Sequence, residues 1–288
     1  MLHVSTFSIV ACDLKAQAWG VAVASKFPAV GAVVPWAVAR TGAVATQATA
    51  NTTFGPRGLE AMAAGLSAES ALAKLIAGDR QREYRQVGLV DSKGRSASYT
   101  GKSCLEWAGG LTGPGYAIQG NILAGPEVVR RMEHTFLSTK GELPERLFAA
   151  LDAGSRAGGD RRGRQSAALL VVRPKSGYGG LNDRWMDYRV DDHLNPVAKL
   201  GELLELHQLY FGRSTKAQRV KLVGDVVRDL QKMMKGLGYY APTNGKYDEA
   251  TREAFRVFID NENFEERASP DAGWIDRPVL EYLKKKLK

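Results

Sequence analysis

The order in which strand-like and helix-like segments follow one another constrains the fold more than any other feature of this sequence. Three segments with the alternation or branching typical of strands lie within the first fifty residues, at 4–10, 19–24 and 42–48. Two helical segments follow, at 58–64 and 68–77. Short turns between the first strands favour antiparallel pairing. This order predicts sheets with helices layered outside them.

The middle of the chain alternates between strand and helix patterns in the same way. Residues 166–172 form a continuous apolar run, which predicts a strand buried on both faces. The other predicted strands are 86–91, 97–100, 116–121 and 185–191, and the other predicted helices are 126–139, 143–157 and 194–211. The fold class predicted from this pattern is α+β.

A domain boundary is predicted at Gly212-Arg213-Ser214-Thr215, the first loop signal after a long helix. We therefore expect a large domain over residues 1–212 and a small one over 213–288. The small domain is predicted to be all-α, with three amphipathic helices at 220–235, 251–261 and 277–287.

Composition excludes several classes of protein. With 44% apolar and 25% charged residues among 288, the chain is globular rather than disordered or fibrous. The longest uncharged apolar stretch, Phe27 to Ala39, is interrupted by prolines and is shorter than the roughly 20 residues that span a bilayer. We expect no membrane segment, and in the absence of a secretory signal pattern we expect a cytoplasmic location.

Charge and cysteine content point to no nucleic-acid partner and no metal. The 40 basic and 31 acidic residues give a net charge of +9 that is spread along the chain rather than collected into a stripe. Cys12 and Cys104 lack partners at metal-ligand spacing. The sequence therefore predicts no cofactor.

Thr6 is the first candidate for catalysis. It lies at the beginning of the first predicted strand, and Ser8 falls on the same face two residues on. A threonine hydroxyl needs a neighbouring base, which can be its own α-amine when the threonine is the first residue of the mature chain. Five residues precede Thr6 here, so that amine has to be uncovered, or a partly desolvated Lys26 has to replace it. The alternative is an ordinary β-forming threonine at a strand end.

Two amide-rich segments are candidates for polarising a substrate carbonyl. In an extended segment Gln47, Thr49 and Asn51 share one face, and side-chain amides can donate to a developing oxyanion. The alternative is turn chemistry before the following helix. A similar segment is Gln119-Gly120-Asn121, where glycine would let a ligand approach the backbone closely.

The loop from Gly158 to Ser166 is a candidate anion site. Asp160, Arg161, Arg162 and Arg164 lie within five residues, and guanidinium groups bind carboxylate or phosphate through forked hydrogen bonds. A solvated loop, or an ion pair with Asp160, is the competing interpretation.

Several of these motifs together resemble a bacterial family of unknown function that is grouped with the N-terminal nucleophile (Ntn) hydrolases. The resemblance covers about residues 4–212, and its motifs are Thr6 to Ala11, Gly20 to Phe27, Val30 to Trp36, Ala45 to Ala48, Gln119 to Asn121 and Gly159 to Ala168. It implies a four-layer αββα sandwich, amide-bond hydrolysis by a terminal Thr, Ser or Cys, and a homodimer.

The tail is similar to a peptidoglycan-binding domain with a three-helix fold, over about residues 220–287. The similarity is carried by Leu237 to Tyr240, Asn244 to Asp248 and Gly273 to Asp276. It implies a cell-wall fragment as a partner.

The leading hypothesis is an Ntn-type hydrolase acting on a small amide or peptide-like substrate that carries an anionic group. Thr6 is then the nucleophile and Lys26 tunes or replaces the base. The carbonyl would be polarised by Gln47 with Asn51 or Asn121, and the substrate would be bound by Gln119, Asp160, Arg161, Arg162 and Arg164. The alternative is a catalytically inactive protein of the same fold that binds a ligand or serves in assembly, and that recognises cell-wall fragments through its tail.

Overall fold

The computed structural model describes residues 6–212, 215–239 and 242–286. Parts of four sequence expectations lie outside the described residues: the start of the first strand at Val4, the boundary residues Arg213 and Ser214, Tyr240 of the tail motif, and Leu287 at the end of the last helix. The chain divides into two compact units, Met1–Leu203 and Leu204–Lys288. The division falls inside helix α5 (Pro196–Phe211), before the boundary expected at Gly212.

The first unit contains two antiparallel sheets. The strands are β1 (Thr6–Asp13), β2 (Ala18–Ser25), β3 (Pro35–Val38), β4 (Gly42–Ala48), β5 (Arg85–Asp91), β6 (Ser96–Thr100), β7 (Gly109–Gly113), β8 (Tyr116–Gly120), β9 (Ser166–Val172) and β10 (Arg184–Val190). The larger sheet has the order β10-β9-β2-β1-β8-β7, and the smaller has the order β3-β4-β5-β6. Strand β1 is therefore central in the larger sheet.

Helices cover the outer face of each sheet. Helices α1 (Phe54–Ala63) and α2 (Ala68–Ala77) pack on the smaller sheet, where Phe54 and Leu75 meet Val87. Helices α3 (Glu127–Ser138) and α4 (Leu143–Arg156) pack on the larger sheet. Gly20 of β2 allows this approach, because a Cβ there would lie 2.8 Å from Leu147 Cδ1.

The two sheets face each other across a shared apolar core. Val10, Val21 and Val23 of the larger sheet pack there with Ala43 and Val90 of the smaller sheet. The layers therefore run helix, sheet, sheet, helix, which is the predicted αββα order, and the mixed α/β class with antiparallel sheets is confirmed.

Local sequence signals explain several of these elements. Ser67 caps α2 by accepting a hydrogen bond from the Ser70 N–H, as its position predicts. Strand β9 is buried along its whole length, as its apolar run predicts. Strands β3 and β7 were not predicted, because the five residues of β7 include three glycines and show no alternation.

The second unit contains three helices around a core of aromatic and aliphatic residues. These are α6 (Asp225–Gly236), α7 (Glu249–Asn261) and α8 (Arg277–Lys286), and Phe255, Phe258 and Leu283 lie in the core. The expectation that this region is all-α is wrong, because β11 (Arg219–Lys221), β13 (Trp274–Asp276) and β12 (Ala268–Ser269) form a small sheet in that order. Residues 220–221 thus belong to a strand rather than a helix. The sequence did not predict these strands, because strands of two or three residues are too short to show a period.

Candidate functional site

Thr6 is placed at one end of the sandwich, between the two sheets. In the pairing of β1 with β2 it lies opposite Ser25, and its hydroxyl donates to Ser25 Oγ at 3.3 Å. Ser8, two residues along β1, donates to Gln47 Oε1 of the smaller sheet at 2.6 Å. The expectation that Thr6 and Ser8 share a face is confirmed, and that face is the one between the sheets.

A buried network of polar side chains joins the two sheets beside Thr6. We call Ser8, Gln47, Gln86, Gln119 and Asn121 the amide network, and each is at most 2% exposed. Gln119 Nε2 donates to Ser8 Oγ at 2.7 Å, and Gln47 Nε2 donates to Gln86 Oε1 at 2.8 Å. Asn121 Nδ2 donates to the same Gln86 oxygen at 2.9 Å. Pairing of this kind offsets the cost of burying amide groups.

The amide network holds the backbone of Thr6. The Thr6 carbonyl oxygen accepts the Asn121 N–H at 3.0 Å and Gln47 Nε2 at 3.3 Å. Gln47 Nε2 has three acceptors in range, so its donors are fully used. Asn121 Nδ2 has one acceptor, and its second hydrogen meets none among the described residues.

Gln119 is enclosed rather than open to a ligand. Its Oε1 has no hydrogen-bond partner among the described residues, and it packs against Gly88, where a Cβ would overlap it. The neighbouring Gly120 does not open the backbone either, because Leu123 fills the space that a Cβ would take. The expectation that a ligand approaches at Gly120 is therefore wrong.

Asn51 does not lie on the same face as Gln47, so that expectation is also wrong. Strand β4 ends at Ala48, which has a φ of 66° and turns the chain away. Asn51 Nδ2 donates to Asp79 Oδ2 at 3.0 Å, and Asn51 Oδ1 accepts the Thr53 N–H at 3.2 Å. This is the turn chemistry that was the alternative for this segment.

In the loop from Gly158 to Ser166, Asp160 and Arg162 form an ion pair with each other. Asp160 is 4% exposed, and Arg162 donates to both of its oxygens, at 3.1 Å from Nε and 2.8 Å from Nη2. The pair also fixes the backbone of Lys26, because Asp160 Oδ2 accepts its N–H and Arg162 Nη2 donates to its carbonyl. The geometry matches the ion-pair interpretation for these two residues.

The other cations of this region point to solvent. Strand β2 ends at Ser25, and the Lys26 side chain is exposed. The expected partial desolvation of Lys26 is therefore wrong, and with it the reason for expecting a base there. Arg161 is exposed without an ion pair among the described residues, and Arg164 Nη1 donates to Asn195 Oδ1 at 3.2 Å.

A narrow pocket lies on the helical side of the larger sheet, next to these residues. Its lining includes Phe7, Ser25, Asp160, Arg164 and Val197, and it has room for about one water molecule. It is too small for a substrate as it stands.

Neither cysteine has the character of a nucleophile. Burial, reinforced by Asp13 and Asp91, raises the pKa of Cys12 to about 12, and burial also raises the pKa of Cys104. Within the described ranges, no group of three or more His, Cys, Asp or Glu side chains is placed to hold a metal ion.

Gln86 and Ser25 are the contributors that sequence reasoning did not single out as site residues. A two-residue period along β5 places Gln86 on the same face as Gly88 and Val90, and this was the available signal. Its meeting with Gln47 depends on the pairing register of β4 with β5, which a single sequence does not show.

The fold and the site define the class of this protein: a four-layer αββα sandwich whose two sheets are bridged by buried amides beside a strand-initial threonine. Residues 6–200 match the family described as "Family of unknown function (DUF1028)", and the chain belongs to this family. Residues 210–283 match the family described as "Putative peptidoglycan binding domain". No curated protein matches the chain.

A solved structure supports the same assignment. The chain is similar to the crystal structure of protein SPO2555 from Silicibacter pomeroyi, of the same DUF1028 family, with 30% sequence identity and a TM-score of 0.65. The match covers 71% of this chain and 89% of that one. None of the helices in the described part of the chain has the length and apolar character needed to cross a membrane.

Proposed function

We propose that the first unit is an amide-bond hydrolase in which the Thr6 hydroxyl is the nucleophile, once the peptide bond before Thr6 has been cleaved. One observation carries this proposal. Thr6 is the first residue of the central strand, its hydroxyl lies between the sheets against Ser25 Oγ, and two donors hold its carbonyl oxygen. Thr6 is fully buried in the uncleaved chain, so in this proposal cleavage has to expose its hydroxyl to the substrate as well as supply the α-amine of Thr6 as the base.

The reaction balances with the groups of this chain and water. The α-amine takes the hydroxyl proton while Thr6 Oγ1 bonds to the substrate carbonyl carbon. The tetrahedral intermediate then expels the substrate amine, which leaves with that proton. A water molecule, deprotonated by the same α-amine, hydrolyses the resulting ester and frees Thr6.

Different amides of the network serve different purposes in this proposal. We assign Gln47 to positioning, because its donors are spent on Thr6 and on its neighbours. We assign Asn121 to polarising the substrate carbonyl, because one of its amide hydrogens has no acceptor among the described residues. Arg161 and Lys26, which are exposed, are the cations that we propose for an anionic group of the substrate.

The decisive comparison uses chains that begin at Thr6, released by cleaving an N-terminal fusion. Amine release would be measured on a panel of N-acyl amino acid amides, with and without a free carboxylate. We expect turnover by the chain that begins with Thr6, partial turnover for Thr6→Ser, and a loss of about 1000-fold or more for Thr6→Ala. Equal turnover by the Thr6 and Thr6→Ala chains would contradict the proposal. No turnover by either chain on any substrate of the panel would also contradict it and would leave the inactive binding protein as the better interpretation.

We also propose that the second unit recognises a fragment of the cell wall. The supporting observation is the match of residues 210–283 to the peptidoglycan-binding family. Co-sedimentation of the full chain with purified peptidoglycan sacculi tests this role independently of any hydrolysis. Recovery of the chain in the supernatant at every sacculus concentration would count against it.

A further inference from the structure

The outer face of the small sheet in the second unit combines an aromatic ring with cations. Ile275 of β13 is fully buried in the core, so Trp274, its neighbour along the strand, lies on the opposite face and is half-buried. Lys221 pairs directly with Trp274, and Arg219 pairs with Asp276, so both cations share that outer face.

Arg219 and Trp274 are in direct contact. The guanidinium carbon of Arg219 lies 4.2 Å from the centre of the indole ring, which is a cation–π arrangement. This contact orders both side chains before any ligand arrives, and this lowers the entropic cost of binding. Ser269 of β12 pairs with Trp274 on its other side and adds a hydroxyl to the same face.

The charge of this face is positive. Asp276 is the acidic residue of the three strands, and it is fully buried with Arg267 3.2 Å away. This ion pair leaves Arg219 and Lys221 as the exposed charges of the three strands, and Lys221 has no ion pair among the described residues. An anionic ligand is favoured over a neutral or cationic one.

Resting on the proposed cell-wall role of this unit, we infer that the face formed by Arg219, Lys221, Ser269 and Trp274 is the binding site, and that its ligand is a sugar ring bearing a carboxylate-containing peptide. The face of the flat indole that Arg219 does not cover suits the C–H face of a sugar ring. The two cations suit the carboxylates of a cell-wall stem peptide through charge-assisted hydrogen bonds.

The test is co-sedimentation of the full chain with purified sacculi, comparing two double variants that remove the same charge. One is Arg219→Ala/Lys221→Ala on the proposed face, and its matched control is Arg228→Ala/Lys232→Ala on α6, where both side chains are exposed. We expect the first to weaken binding at least about tenfold and the control to stay within about twofold. A third variant, Trp274→Phe, retains an aromatic ring and should weaken binding less than Trp274→Leu.

The outcomes separate the location of the site from the function. If the unaltered chain does not bind sacculi, the cell-wall role fails and the inference fails with it. If the unaltered chain binds and both double variants weaken it equally, binding is simple charge attraction and the location is wrong. If both Trp274 variants bind like the unaltered chain, the sugar contact is wrong.

Discussion

Thr6 is held in place by its backbone as well as by its side chain. Two donors, the Asn121 N–H just after β8 and Gln47 Nε2 of β4, converge on its carbonyl oxygen, and its hydroxyl donates to Ser25 Oγ at 3.3 Å. A reactive group benefits from this arrangement, because the scaffold fixes its position through the backbone. The amide network thus links the stability of the sandwich to the placement of the candidate nucleophile.

Gln86 is the residue on which this network depends most. It accepts from Gln47 and Asn121 and donates to the Gly120 carbonyl at 2.7 Å and to Thr100 Oγ1 at 2.9 Å. Replacing Gln86 by Leu leaves those buried groups unpaired, so we expect a loss of about 2 to 4 kcal/mol in the free energy of unfolding.

Urea unfolding measures this loss, and Thr100→Val provides the matched control because it removes only one of these hydrogen bonds. The control should cost about 1 kcal/mol. A Gln86→Leu chain as stable as Thr100→Val would show that the network does not stabilise the sheets in the way described.

The site could be read from the sequence only in part. Thr6, Ser8 and Gln47 are found by strand alternation alone, because each lies within a regular strand. Asn51 and Lys26 were misplaced, since both lie just beyond a strand end, where the two-residue period no longer fixes the direction of the side chain. The hydrogen bond between Asp160 and the Lys26 backbone could not be predicted either, because the two residues are 134 positions apart in the sequence.

At the scale of the element, Asp91 connects the β5–β6 turn to the start of α2. Its Oδ1 accepts the N–H groups of Lys93 and Arg95, and its Oδ2 accepts the Ala68 N–H and Arg95 Nε. Burial on its own would raise the pKa of Asp91, but these hydrogen bonds outweigh burial and lower it below the ordinary value of 3.8.

This lowered pKa predicts a specific pH dependence of stability. Because the folded state favours the carboxylate, Asp91 contributes fully to stability above pH 3.8, and its contribution is lost as the pH falls from there through the lower folded-state pKa. Asp91→Asn should therefore flatten the fall of the unfolding free energy between about pH 5 and pH 2.

Thermal or urea unfolding across that range checks the prediction, with Lys93→Gln as the control. Lys93 contributes only its backbone N–H to Asp91, which the control retains. The same pH slope for Asp91→Asn and the unaltered chain would contradict the assignment.

At the scale of the whole molecule, the end of α5 belongs with the second unit. Tyr210 stacks on Phe264, with ring centres 5.0 Å apart and planes 7° from parallel, and the Arg267 guanidinium donates to the Gly212 carbonyl. We propose that an independently folding second unit begins near Leu204 rather than after Gly212.

Two fragments of the chain test this boundary. A fragment 204–288 should be more stable than a fragment 216–288 by about 2 to 3 kcal/mol, because only the longer one buries Tyr210 and its neighbours. Tyr210→Ala in the longer fragment should reproduce part of the difference in urea unfolding. Equal free energies of unfolding for the two fragments would contradict this proposal and place the boundary at Gly212.

The architecture was more predictable than its details. The placement of helices outside sheets follows from the succession of strand and helix periods, to which the apolar run of β9 and the Ser67 cap of α2 belong. The four-layer αββα order was what the family resemblance implied. Strands such as β7 and β12 were not predicted, because the glycines of β7 and the two-residue length of β12 leave no alternation to recognise. The resemblance of the first unit to a family of unknown function, and that of the tail to a peptidoglycan-binding domain, were confirmed by the family matches over residues 6–200 and 210–283.

Intact-mass analysis gives the most direct test of the Thr6 mechanism. It is applied to protein that has been purified from its native host and is active on an amide. Cleavage before Thr6 predicts a mass lacking residues 1–5 and a threonine as the first residue. An active preparation whose mass still includes those residues would contradict the mechanism, because the amide nitrogen of an internal Thr6 cannot accept the proton.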